Sequence, residues 1–130
     1  MGLRYDIDTS TSHVRIVGTG KLSMPEMIAA ADQVAGDPRF VPGFAAILDI
    51  REGSYTAEMY DGQAFVAAIK RRRQDFPKRF ALLVPQSLHV LGTLFCLLAK
   101  TSGIDTMNCF TDIGGASEWC GVGRQREGSG

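Results

Sequence analysis

The side chains able to do chemistry are few: two histidines, His13 and His89, and three cysteines, Cys96, Cys109 and Cys120. Neither histidine belongs to a motif with metal-ligand spacing, so no metal centre is expected. Cys96 follows His89 by two helical turns and shares its helix face, but no third group is placed to orient the pair as an activated nucleophile needs. Gly18-Thr19-Gly20-Lys21 has the look of a phosphate loop, yet the glycine that opens a Walker pattern is replaced by Arg15. No catalytic residue and no cofactor is therefore read from the sequence, and a non-enzymatic protein is expected.

Binding is better served. Two polar groups each follow an apolar run: Asp49, Arg51, Glu52, Ser54, Tyr55 and Thr56 after residues 44–48, and Gln86, Ser87 and His89 after residues 80–84. In open α/β sheets ligands meet the protein outside the carboxyl ends of parallel strands, where loops lead into helix N-termini. A phosphate or carboxylate there would find free backbone N–H groups and the positive end of the helix dipole. The competing reading is structural: Thr56 and Ser87 cap helices, Asp49 bonds loop amides and Arg51 pairs with an acid. A basic run, Lys70, Arg71, Arg72 and Arg73 with Lys78 and Arg79 after it, suits a helix C-terminus. Fourteen basic residues balance fourteen acidic ones, so no field draws the chain to nucleic acid.

The elements that must position these groups follow from periodicity. Leu3, Tyr5 and Ile7 alternate with polar residues, as do Val14 and Ile16, which predicts a β-hairpin. Ser23 and Glu26 form a capping-box pattern, and Met27, Ile28, Ala31, Val34 and Ala35 recur at helical spacing up to about residue 35. Residues 44–48 and 80–84 read as buried strands. Met59, Phe65, Val66 and Ile69 mark a second helix starting near Thr56. Leu91, Leu94, Phe95 and Leu98 give a third helix its core stripe, with Gly103 as its cap. Residues 106–110 form a short strand, and Ile113, Ala116 and Trp119 space a last helix. The expected architecture is α/β: a hairpin, then αβαβαβα, with helices packed on a mixed sheet.

With 130 residues, 45% hydrophobic and 22% charged, the chain suits one globular domain, placed at 1–121 with a flexible tail at 122–130. An odd number of widely spaced cysteines suits reduced thiols in the cytoplasm, and no export signal opens the chain. The longest apolar stretch, 90–99, is about half of the ~20 residues a membrane span needs.

Over residues 22–120 the sequence resembles the SpoIIAA-like group of STAS domains, and especially its STAS/SEC14-like bacterial branch. The resemblance rests on Asp37-Pro38-Arg39-Phe40 with Pro42-Gly43, on Leu48-Asp49-Ile50-Arg51, on Phe80-Ala81-Leu82-Leu83-Val84-Pro85, and on Phe110 followed by Ala116 and Trp119. It implies the SpoIIAA-like fold. In the anti-sigma-antagonist branch a serine at the start of the second helix accepts a phosphate within an Asp-Ser-Ser-Gly-like stretch. Here that region departs from the pattern and reads Arg51-Glu52-Gly53-Ser54-Tyr55-Thr56-Ala57-Glu58, with Ser54 and Thr56 still placing hydroxyls near the same helix end.

The third helix is unusual: besides its core stripe it carries Leu88, Val90 and Leu97, leaving His89, Thr93, Cys96 and Lys100 as a narrow polar strip. An ordinary surface helix has a wider polar face. Either other elements cover this surface or it meets a partner. The leading expectation is a regulatory or protein-interaction module, self-associating as a homodimer through this helix. The alternative, implied by the SEC14/CRAL-TRIO-like side of the resemblance, is a binder of a small apolar or lipid-like ligand between the helices and the sheet.

Overall fold

Tyr5 pairs with Ile16 and Ile7 with Val14 in an antiparallel hairpin, so alternation puts these four side chains on one face of the sheet. In the computed structural model, which describes residues 2–122, the hairpin is β1 (Gly2–Asp8) and β2 (His13–Leu22). There follow α1 (Met24–Gly36), β3 (Ala45–Tyr55), α2 (Asp61–Arg71), β4 (Arg79–Leu83), α3 (His89–Thr101), β5 (Met107–Phe110) and α4 (Ile113–Cys120). The strands lie in the order β1-β2-β3-β4-β5. All pairings after the hairpin are parallel, which makes the sheet mixed, as expected.

The two sheet faces are served by alternate residues of β3. Ala46, Leu48 and Ile50 join Ala30 and Val34 of α1 in the larger core, the side on which α2 and α3 also lie. Ala45 and Ile47 pack with Ala81, Leu83 and the α4 residues Ala116 and Cys120 on the other. The capping box at α1 forms as read: Glu26 N–H donates to Ser23 Oγ and Ser23 N–H donates to Glu26 Oε1. Asp112 caps α4 by accepting from Gly115 N–H. Gly103 has φ +99° and donates to Lys100 O just past α3. Val122, placed in the tail by its sequence, is buried with the α4 cluster; residues 123–130 of the expected tail lie outside the described residues.

Three boundaries differ from the sequence reading, each for a physical reason. β3 does not stop at Asp49 but runs on beside β2, past a bulge after Val17, to pair Tyr55 with Leu22. Gly53, in the stretch expected to be a loop, is what permits this. A Cβ there would lie 2.8 Å from Leu22 Cδ1 and 3.2 Å from the Gly18 and Gly20 carbonyl oxygens. Consequently α2 begins at Asp61 rather than near Thr56, and Thr56 caps nothing, since the N-cap is Tyr60. Ser87 likewise is no cap: it sits in a 3-10 turn, Gln86–Leu88, and α3 starts at His89 behind Leu88.

A further difference is the facing of α3. Leu94 and Leu98, expected in the core, are 52% and 37% exposed, while Gly92 and Ala99 are the buried residues. Cys96, expected in the polar strip, packs against the core. Small residues let the helix backbone approach the sheet closely, so the helix seats on Gly92, Cys96 and Ala99, keeps Leu91 and Phe95 half-buried against the cavity beneath it, and turns Leu94, Leu97 and Leu98 outward.

Candidate functional site

The residues after the first apolar run divide between the two faces of the sheet. Asp49 is buried and accepts from Arg51 N–H, from Arg51 Nε and Nη2 at 3.0 and 2.9 Å, and from Arg15 Nη2 at 2.8 Å. Burial works to raise its pKa, but the hydrogen bonds from Arg51 and Arg15 outweigh it and hold the carboxyl below its ordinary value. This arrangement ties β2 to β3, and Arg51 pairs with an acid as the structural reading had it.

Tyr55 turns to the opposite face. Its ring meets Phe95 of α3 edge-on at 6.4 Å, and its hydroxyl donates to Asp61 Oδ2, which also accepts from Glu58 N–H. Burial and the bond to Asp61 raise the Tyr55 pKa. Ser54 and Thr56 are exposed, as are Gln86 and Ser87; His89 is half-buried. The strand-end residues thus form an ion-pair cluster on one face and a helix anchor on the other, rather than one pocket.

The outer face of α3 carries four of the seven exposed large hydrophobic residues among the described residues. Val90 is 73% exposed and Leu97 is 52% exposed, with Leu94 beside them; Leu88 is half-buried and packs against the core. Leu98 reaches the start of α2, where a Cβ on Gly62 would lie 3.9 Å from its Cδ1. Met59 and Tyr60, just before that helix, are also exposed. Helical periodicity alone could not have assigned this face, because α3 has large apolar residues on both its inner and its outer side.

Beneath α2 and α3 lies a cavity of about 150 Å³, bounded by α1 and the sheet. Its lining is apolar apart from Asp32, Tyr55, Arg72 and Asp75. Tyr55 is engaged with Asp61, so the other three form its polar end: Arg72 Nε donates to Asp32 Oδ1 at 2.9 Å and Arg72 Nη1 lies 3.4 Å from Asp75 Oδ2. Arg72 and Asp75 are neighbours three residues apart, but Asp32 is distant in sequence and carries no motif with them; only the fold brings it to Arg72. Cys96 packs nearby, and burial pushes its thiol up to about 12, which removes the thiolate a nucleophile would need.

Among the described residues no group of three histidine, cysteine or acidic side chains could hold a metal ion, and no helix is long and apolar enough to cross a membrane. No family model matches the sequence, and no curated protein matches it. The mixed sheet with its helices nevertheless has a solved counterpart. It is similar to an uncharacterized protein of the DUF3478 family with a SpoIIAA-like fold from Shewanella loihica PV-4, with a TM-score of 0.60. The identity is 18%, over 92% of this chain and 94% of that one. The class is therefore an α/β domain, and its fold is SpoIIAA-like, as the resemblance implied.

Proposed function

We propose that the protein is a non-enzymatic interaction module that pairs with a second copy of itself through the outer face of α3. One observation carries this reading: Val90, Leu94 and Leu97 stand exposed at alternating spacings of four and three, the spacing of a seam between two helices. The helix, HVLGTLFCLLAKT, bears no carboxylate, so a symmetric pair would bury the seam without burying an unpaired acid. An isologous contact of this kind closes at two copies. Three free thiols support the cytoplasm as its place. A photo-crosslinking residue at Leu97 tests the pairing: a crosslinked dimer whose joined peptides both come from α3 is expected. Absence of dimer, or joining to α4 or the hairpin, would contradict it.

A second reading, a module that holds a small apolar ligand, is supported by the cavity under α2 and α3. An apolar cavity of about this size takes up a benzene-sized molecule. It is well below the 300–1,000 Å³ or so of drug-sized sites, which argues against a two-chain lipid.

A further inference from the structure

The reading of the cavity as a ligand site leaves the ligand's chemistry open, and the atoms at its polar end narrow it. Asp75 lines the cavity; its side chain is 38% exposed as a whole, but its Oδ1 is buried without a hydrogen-bond partner among the described residues. A buried acceptor left unpaired costs free energy, and neighbouring groups do not meet this one. Arg72 spends Nε on Asp32 and Nη1 on the other Asp75 oxygen. Arg73, the next cation along the chain, is committed to Ser102 O at 3.1 Å. The remaining walls near the sheet, such as Phe76, Phe80 and Met107, offer no donor.

We infer that the cavity takes a compact hydrocarbon, one ring or a short chain, that carries a single hydrogen-bond-donating head bonded to Asp75 Oδ1. This rests on the second reading above and adds the head. The volume limits the body to about the size of benzene, and the lone acceptor selects a hydroxyl or amine over a carboxylate or phosphate, which would bring another acceptor against Asp75.

Titration of isotope-labelled protein by NMR with toluene, benzyl alcohol and benzoate separates the possibilities. Benzyl alcohol is expected to shift the amides of cavity-lining residues and to bind about tenfold more tightly than toluene, the worth of a hydrogen bond to a charged group; benzoate is expected not to bind. In Asp75→Leu that tenfold preference is expected to disappear while toluene still binds. Ala68→Leu, which fills the cavity from α2, is expected to stop all binding, and it keeps the test valid if Asp75→Leu fails to fold. If toluene and benzyl alcohol bind the wild type equally, or if benzoate binds best, the head assignment is wrong and the cavity reading stands. If none of the three binds, the cavity reading itself fails.

Discussion

Gly92→Ala tests the seating of α3, on which the outward turn of its leucines depends. Alanine is the better helix former by about 1 kcal/mol, so on local grounds the change stabilises. The structure opposes this: the new Cβ would lie 2.5 Å from Cys109 Sγ, whereas its next contacts, at 3.7 Å to Cys109 Cβ and 3.9 Å to Val84 Cγ1, are ordinary. Carbon and sulfur need roughly 1 Å more. Cys109 is 8% exposed and its thiol lies 3.9 Å from His89 O, so neither helix nor thiol yields freely. Overpacking of this kind costs about 1–3 kcal/mol, which leaves a net loss of about 1 kcal/mol. Urea unfolding of the single variants and of Gly92→Ala/Cys109→Ala measures it. With the sulfur removed, the same glycine substitution should become stabilising, giving a coupling of about 1–3 kcal/mol. A Gly92→Ala effect that is the same with and without the Cys109 thiol would refute the close seating.

Two further outcomes are expected. Asp49 has a folded-state pKa below its ordinary 3.8, so its contribution is fully present above that value and is lost as pH falls through the folded value. The urea midpoint should therefore hold near neutrality and decline below about pH 4. Asp49→Asn should lower stability near pH 7 by about 1–2 kcal/mol, at the low end because the arginine side chains are 39% and 34% exposed, and should flatten the acid decline; an unchanged acid decline would count against the cluster. Burial pushes the Cys96 thiol up to about 12 and the Cys120 thiol up to about 11, so a thiol-specific disulfide reagent at mildly alkaline pH should label native protein slowly and urea-unfolded protein fast. Rapid native labelling of either would contradict the packing described.

Features encoded locally were legible in the sequence. Hairpin alternation, the Ser23–Glu26 capping box, the apolar runs that became β3 and β4, and Gly103 after α3 each depend on neighbours within a few residues. Features set by tertiary contact were not. Gly53 gives no strand signal until Leu22 and the β2 carbonyls are seen to occupy the space of its side chain, and with that strand extension the expected loop site became an ion pair and an aromatic anchor. The facing of α3 was ambiguous because leucines surround it; close approach to Cys109, not hydrophobicity, picks the inner side. Asp32 meets Arg72 only because α1 packs on α2, a contact without a local signal.

The self-pairing of α3 is tested most directly by sedimentation velocity of the wild type and of Leu94→Lys/Leu97→Lys from micromolar to millimolar concentration. The wild type should pass from monomer to dimer. The variant should stay monomeric with an unfolding free energy within about 0.5 kcal/mol of the wild type, as for exposed positions. A wild type that stays monomeric throughout, or a variant that still dimerises, would contradict the pairing.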